Sequence, residues 1–210
     1  MKEHEITLAD FEKKFTATRN LSKKFKFYWE NKVFVETHDP IKNIEYIQKM
    51  LQAAIKKEDK HIEHLLYIFQ GYLYKRDGIY DKALNLYYKS KNYFYLKDDK
   101  QNYAKIISDI SVIFATLGLH NQACYLWKDL LRNYVDKKSY YQRGLIMNNL
   151  ISTSITSYQN FEQVEVVLNE ILEELKEATN NAYHYNFIYC KSMINMGYYH
   201  FMKYNDNKKS

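Results

Sequence analysis

A pattern of small and aromatic residues recurs at a regular interval along this chain. In the segment 67–90 the small residues are Gly71, Gly78, Ala83 and Ser90, and the aromatic ones are Tyr67, Tyr74, Tyr80 and Tyr87. The segment 107–130 repeats the arrangement in the same order, with Ser111, Gly118 and Ala123 at small positions. A weaker third match lies in 148–171. Because apolar residues also recur every three or four positions, the pattern predicts repeated pairs of helices.

Composition favours long helices joined by short turns. The chain has 5 Gly and 1 Pro in 210 residues, too few for the many turns of a sheet-rich protein. We predict one helix near Thr7 and Asp10, with Phe11, Phe15 and Leu21 on one face, and one helix that starts at Asp39–Pro40. Further helices are predicted at 61–76, 79–96, 100–117, 120–135, 139–158, 160–178 and 181–204. Their short connections require neighbouring helices to run antiparallel.

The recurring positions resemble the signature of the tetratricopeptide repeat (TPR) family, in a variant with longer repeats than usual. That signature has an aromatic, a Gly and a Tyr on its first helix, then a turn Gly, and an aromatic, an Ala, an aromatic and a small residue on its second. The resemblance implies an all-α fold, a right-handed superhelical stack of antiparallel helix hairpins. We expect one array over residues 1–210, with a degenerate capping hairpin at 1–60, repeats at about 64–97, 104–137 and 145–178, and an unpaired final helix at 181–204.

Small residues have a physical role in such a hairpin. At Gly71 and Ala83 the two helices can cross closely, and the four tyrosines fill the space above and below the crossing while their hydroxyls reach water or a carbonyl. One hairpin cannot bury its own apolar face, so the next hairpin must stack on it.

The chemistry-bearing side chains do not form a catalytic arrangement in the sequence. His61 and His64 lie at i and i+3 without an evident third ligand, so we interpret them as solvent-exposed or capping. Cys124 and Cys190 fall within apolar helical patterns and are interpreted as core thiols. Glycine-rich phosphate loops are absent from the sequence, and the carboxylates of 162–177 spiral around one helix. We therefore predict a protein that is not an enzyme and has no metal or cofactor.

The TPR resemblance implies a binding groove lined by the first helix of each hairpin. It assigns to this groove Leu65, Ile68, Tyr72, Lys75 and Arg76 from the first repeat, Lys105, Ser108 and Val112 from the second, Asn149 and Thr153 from the third, and Tyr198 from the last helix. Asn149 can hydrogen-bond both backbone groups of an extended peptide, or it is simply a solvent-facing helix residue. The lysine and asparagine clamp of the chaperone-binding TPR class is not matched, since Ile68, Tyr72, Asp109 and Ile146 occupy four of its positions.

Charge gives a weaker indication of partners. The formal net charge is +6, mostly lysine, which is typical of a solvated surface and disfavours nucleic acid as the partner. Basic and aromatic residues interleave in 13–35, a pattern of single-stranded nucleic-acid or membrane-surface binding but more often of a capping hairpin's core. The sequence shows neither a signal peptide nor a membrane span, and we expect a cytoplasmic protein.

The functional hypothesis is a non-enzymatic module that binds a protein or peptide segment as a scaffold or sensor. The alternative is a regulatory peptide-sensing domain of a larger bacterial signalling or transcription protein. The helix at 181–204 is apolar on more than one side, which indicates either a homodimer through that face or a missing C-terminal extension.

Overall fold

Eight helices lie within residues 6–136 and 139–156, and this part of the chain contains no strand. The computed structural model describes these residues and positions 166, 169, 194, 197–201 and 204. The helices are α1 (Leu8–Ala17), α2 (Leu21–His38), α3 (Pro40–Lys56), α4 (Lys60–Arg76), α5 (Tyr80–Leu96), α6 (Lys100–Thr116), α7 (His120–Asn133) and α8 (Tyr140–Thr156). The predicted all-α class is confirmed. The helices predicted from 61 to 158 agree closely with α4 to α8, and those predicted at 160–178 and 181–204 lie mostly outside the described residues, with only the separate positions named above described in them.

Helices α3 to α8 begin at equal intervals along the chain. Their first residues are 40, 60, 80, 100, 120 and 140, and all but α7 have 17 residues, whereas α7 has 14. Two successive helices with their connections therefore span the interval that separates equivalent small residues in the sequence, such as Gly71 and Ser111.

A residue in the left-handed region follows each of helices α3 to α6. These residues are Glu58 (φ 56°), Gly78 (φ 75°), Asp98 (φ 51°) and Gly118 (φ 79°). In each turn the next amide donates to a carbonyl five residues earlier, as from Ile79 N–H to Tyr74 O at 2.8 Å, which is the Schellman arrangement. Side chains of Asp39, Asp59 and Asp99 then accept from free amides at the start of α3, α4 and α6.

Packing contacts group the chain into two compact units, Met1–Tyr93 (unit 1) and Phe94–Ser210 (unit 2). The single array over residues 1–210 stays a prediction. The boundary between the units falls inside α5. The segment 1–60, predicted as one capping hairpin, contains α1, α2 and α3 in its described part. Thr7 caps α1 as expected. Leu21, predicted on the same helix as Phe11 and Phe15, instead begins α2 because the chain turns at residues 18–20.

Unit 1 has a core of aromatic and aliphatic side chains from α1 to α4. The Phe11 ring stacks on Phe27 with centroids 5.0 Å apart, and both rings are buried. One polar pair lies inside this core: the Tyr28 hydroxyl donates to Asn43 Oδ1 at 2.7 Å, and both side chains are buried. Because Asn43 lies on α3, this bond ties α2 to α3.

The α4–α5 crossing in unit 1 depends on small residues. Gly71 faces the ring of Tyr87, which is fully buried, as are Ala83 and Ser90. A Cβ atom at residue 71 would lie 2.8 Å from Cε1 of Tyr87. Ser90 Oγ donates to the carbonyl of His64 at 3.1 Å. Since residue 64 contacts residue 90 and residue 71 contacts residue 87, the two helices run antiparallel.

Unit 2 packs α6, α7 and α8 around a mainly aliphatic core that also contains Trp127. Ile110, Trp127, Leu130 and Ile151 are buried at its centre. Ser111, at the position equivalent to Gly71, is also buried and donates to the carbonyl of Ile107 at 2.7 Å. Across the α7–α8 connection, Arg143 Nη1 donates to the carbonyl of Leu131 at 2.9 Å, which satisfies one of the unpaired carbonyls at the end of α7.

None of the helices in the described part of the chain combines the length and the hydropathy that a membrane span requires.

Overpacking at the α4–α5 crossing gives a first test. Gly71→Ala should lower the free energy of unfolding by about 1–3 kcal/mol, because the buried Tyr87 ring must move, and this should exceed the gain of about 1 kcal/mol from the helix propensity of alanine. Gly197→Ala is the matched control, because a Cβ there meets no atom within 4 Å, and it should stabilise. Urea unfolding measures both.

The same crossing can be checked by a double-mutant cycle. In a Tyr87→Leu background the ring that obstructs Cβ is gone, so Gly71→Ala should become neutral or stabilising. An equal loss of stability in both backgrounds would show that the ring contact does not limit this position.

The left-handed turns give a second prediction. Glu58 has the least suitable side chain at such a position, so Glu58→Gly should raise the free energy of unfolding by about 0.5–1 kcal/mol. Gly78→Ala should lower it by about 1 kcal/mol through backbone strain alone, because a Cβ at residue 78 meets nothing within 4 Å. Thermal unfolding of both variants would reveal opposite shifts in Tm, and shifts of the same sign would contradict the assignment.

Alkaline pH should destabilise the fold through its buried phenols. Burial, with the nearby charge of Glu36, raises the pKa of Tyr28, and burial together with Tyr134 raises the pKa of Tyr103 to about 12. Unfolded phenols ionise near pH ~10. Below that pH the contribution of these groups is fully present, and above it the unfolded chain releases protons that the folded chain retains. Stability should therefore fall by up to about 1.4 kcal/mol per pH unit for each such tyrosine.

Tyr28→Phe isolates one of these contributions. At neutral pH this variant should lose about 1–2 kcal/mol because the oxygen of Asn43 loses its donor. Between pH ~10 and pH ~11 its free energy of unfolding, measured in urea, should decline less steeply than that of the parent protein. Equal slopes would mean that the Tyr28 phenol does not stay protonated in the folded state.

Candidate functional site

Helices α2 and α4 bring four aromatic rings into one continuous row in unit 1. We call Phe25, Trp29, Phe69 and Tyr72 the aromatic row. Its successive ring centroids are 5.8, 5.9 and 6.3 Å apart. Phe69 is buried and anchors the row, whereas Trp29 and Tyr72 keep 38% and 36% of their surface exposed. The row is thus an accessible aromatic surface with a fixed base.

Two lysines lie over the rings of the aromatic row. Lys32 Nζ is 3.4 Å from the ring centroid of Trp29 and 5.7 Å from that of Phe69. Lys75 Nζ is 5.5 Å from the ring centroid of Tyr72. Attraction between an ammonium group and the electron-rich face of a ring holds such pairs together. The surface therefore offers apolar area and positive charge side by side.

An ion pair connects α2 and α4 beside the aromatic row. Arg76 at the end of α4 donates to Glu36 on α2, and its Nε donates to Asp77 at 3.0 Å. The hydrogen bond to Asp77, together with the charges of Asp77 and Glu36, raises the pKa of Arg76. Since Trp29 of α2 contacts Phe69 of α4 and Glu36 contacts Arg76 farther along both helices, α2 and α4 run parallel.

Two of the groove residues predicted in unit 1 lie on this surface. Tyr72 and Lys75 belong to it, and Arg76 is engaged by Glu36 and Asp77 at its edge. Ile68 is buried, with 2% of its surface exposed, and is part of the packed interior. Ligand contact by these residues stays a prediction.

The sequence pattern did not identify the contribution of α2 to this surface. Trp29 and Lys32 lie in the segment whose aromatics were interpreted as the core of a capping hairpin. Phe27 and Tyr28 are buried in the core of unit 1, whereas Trp29 is exposed. The available signal was the i, i+4 pair Phe25 and Trp29, whose rings stack.

The predicted groove residues of unit 2 lie on α6 and α8, which contact each other. Lys105, Ser108 and Val112 follow one another at spacings of three and four positions on α6, and therefore share a face. Lys105 is exposed, whereas Ser108 and Val112 are half-buried. On α8, Asn149 is half-buried and Thr153 is buried. The predicted groove residues of unit 2 are thus an exposed cation on α6, a half-buried amide on α8, and hydroxyl groups that are largely packed.

Tyr198, the remaining predicted groove residue, is 50% exposed. It lies in a part of the chain where only separate positions are described, so its relation to the other groove residues stays a prediction.

The histidines near the start of α4 differ from each other in environment. His61 is exposed, as expected. His64 is neither exposed nor a cap: it is half-buried and stacks on Tyr93 with ring centroids 4.2 Å apart, and burial lowers its pKa. Burial alone would raise the pKa of the neighbouring Glu63, but hydrogen bonds from Lys60 and Tyr67 outweigh it and lower that pKa. Packing in the α4–α5 hairpin accounts for this cluster.

The described residues do not bring metal-ligating side chains together into a site. Among those residues, no group of three or more His, Cys, Asp or Glu side chains could hold a metal ion. Cys124 is half-buried, with Sγ 3.6 Å from Ser154 Oγ across the α7–α8 interface. Cys190 lies outside the described residues.

These observations define an all-α protein whose consecutive helices pack on one another. Two parallel helices of unit 1 carry its aromatic and cationic surface. The sequence matches no family model, and no curated protein is significantly similar to it.

Proposed function

We propose that this protein is a non-enzymatic, TPR-like helical module that binds a protein or peptide segment along the aromatic row. The observation that carries the proposal is the exposure of Trp29 and Tyr72 on neighbouring parallel helices, with Lys32 and Lys75 over their rings. Exposed Trp and Tyr side chains with a fixed base are the residues that most often dominate binding energy in protein interfaces. A scaffold or sensor role in the cytoplasm accords with such a surface.

Each group on the surface has a distinct role in this proposal. The rings of Trp29 and Tyr72 supply apolar contact at little entropic cost, because an aromatic side chain has only two rotatable angles. Lys32 and Lys75 pair with polar or acidic groups of the bound segment. The ion pair of Arg76 with Glu36 keeps α2 and α4 together, so the surface is formed before the ligand arrives and little ordering is needed on binding.

In unit 2, the amide of Asn149 on α8 is proposed as a further contact for a bound segment, separate from the aromatic row of unit 1. Its side chain can donate to one backbone group and accept from another, and thus hold an extended main chain without reading its side chains. Lys105, Ser108 and Val112 on α6 supply further contacts there.

A selection from a phage-displayed library of random short peptides tests this function. Peptides recovered with the parent protein would be measured against variants by fluorescence polarisation. Trp29→Ala and Tyr72→Ala should each weaken binding by at least about 30-fold, because truncating an anchor residue typically costs about 2 kcal/mol or more. Tyr125→Ala is the matched control, because its ring is 72% exposed on α7, which carries none of the predicted groove residues, and it should leave affinity unchanged.

Tryptophan emission gives an independent readout of the same binding. Trp127 is buried in unit 2, whereas Trp29 is partly exposed, so ligand on the aromatic row should shift the emission of Trp29 to shorter wavelength. Failure to recover any peptide, or equal losses in the Tyr72→Ala and Tyr125→Ala proteins, would overturn the proposed function.

A further inference from the structure

The net positive charge of this protein resides in one short segment of unit 1. Residues 13–29 contain six cations and no carboxylate. The rest of the chain carries 25 Lys and Arg against 25 Asp and Glu, so it is formally neutral, and the +6 of the whole protein equals the charge of this segment. We call these six residues the basic corner: Lys13, Lys14, Arg19, Lys23, Lys24 and Lys26.

The basic corner lies where α1 ends and α2 begins. Lys13 and Lys14 are in the second half of α1, Arg19 is in the connection, and the other three are in the first turns of α2. All are exposed except Lys24, which is half-buried. Lys14 lies 4.6 Å from the ring centroid of Phe27, and Lys24 lies 4.8 Å from that of Phe15. The two lysines therefore cover the aromatic core, while the other four cations face water.

Nearby carboxylates neutralise only part of this charge. Asp10 accepts the hydroxyl hydrogen of Thr7 and interacts electrostatically with Lys13, whereas Glu12 is bound by Lys42 and Tyr46. Within the described residues only Lys26 of the six makes an ion pair, with Glu30 at 3.9 Å, and both side chains are largely exposed.

The first turn of α2 adds to the accumulation of positive charge. It contains Lys23 and Lys24 and no acidic residue, although the partial positive charge of a helix start favours carboxylates. Placing like charges together at this point opposes folding, and the interior gains nothing from the four water-facing cations. The arrangement is therefore better explained by an anionic partner than by stability.

The composition of the corner distinguishes among anionic partners. Of the aromatic rings that alternate with its cations, Phe15 and Phe27 are buried, and Phe25 is half-buried and stacks on Trp29, so these rings do not offer the open faces on which nucleic-acid bases stack. In the segment 13–29 the only exposed large hydrophobic side chain is Trp29, which belongs to the aromatic row, so a protein partner at the corner itself would lack the apolar centre that interfaces require. Lipid headgroups need neither feature, because a cluster of lysines adsorbs to an anionic bilayer by charge alone.

We propose that the basic corner is a docking site for the anionic headgroups of a membrane surface, and that it holds this helical module peripherally at a bilayer. The lysines act as point charges at the lipid surface, which suits their compact ammonium groups better than bidentate recognition would. The aromatic row uses different residues, so adsorption and segment binding are separate properties of the same protein.

Vesicle co-sedimentation tests the site with the intact protein. Phosphatidylcholine vesicles with and without phosphatidylserine would be compared, and binding should require phosphatidylserine and fall steeply with added salt. The variant Lys13→Gln, Lys23→Gln, Lys26→Gln should bind about 100-fold more weakly, since each lysine near an anionic surface contributes roughly fivefold. Lys14 and Lys24 are left in place because their stems cover the core.

Four further measurements keep the test specific to the corner. Lys56→Gln, Lys57→Gln, Lys97→Gln has the same net charge from three exposed lysines elsewhere and should bind vesicles like the parent. Replacing the three corner lysines by arginine should preserve binding, and unfolding in urea should show that all variants are folded. Peptide affinity at the aromatic row should not change in the glutamine variant of the corner.

The proposal would be overturned if the protein did not bind phosphatidylserine vesicles, or if the two glutamine variants lost vesicle binding equally. It would also be overturned if the protein bound single-stranded RNA or poly-glutamate more tightly than vesicles at the same salt concentration. The last two partners would instead indicate a nucleic-acid site or a site for an acidic protein segment.

Discussion

The left-handed residue after each of helices α3 to α6 is the constraint on which the repeat depends. It stops a helix after 17 residues and reverses the chain within a short turn, so that α4, α5, α6 and α7 begin at residues 60, 80, 100 and 120. Each 17-residue helix is therefore about 25 Å long, and residues at matching positions take equivalent places in successive hairpins. The fully buried Tyr87 on α5 and Trp127 on α7 are related in this way, as are Gly71 and Ser111, which admit the close packing.

Those regularities made most of the helical architecture predictable, because small residues, turn glycines and capping aspartates each act locally. Helix ends at Arg76 and Thr116 follow from Gly78 and Gly118. The N-terminal region was less predictable. Phe25, Phe27, Tyr28 and Trp29 lie close together in the sequence, and such a cluster has no clear periodicity. Which rings face inward is decided by Phe11 of α1 and Phe69 of α4, which contact different members of the cluster.

The candidate site was predictable in part for the same reason. Tyr72 and Lys75 could be placed on the first helix of a hairpin because α4 carries the clearest repeat positions. Trp29 and Lys32 could not, because α2 has no recognisable repeat and its position beside α4 depends on contacts between residues far apart in the sequence, such as Glu36 with Arg76. Burial of a residue such as Ile68 depends likewise on neighbouring helices, which no local pattern specifies.

The equal spacing of the helices also determines which changes in chain length the protein can accept. Inserting one residue within α4 would rotate every later side chain of that helix by about 100° relative to its partners, and would move Gly71 away from Tyr87. Inserting or deleting a complete pair of helices together with its turns leaves each local crossing as it was. Growth of such a chain is therefore expected by duplication of complete hairpins, with the turn residues as the natural junctions.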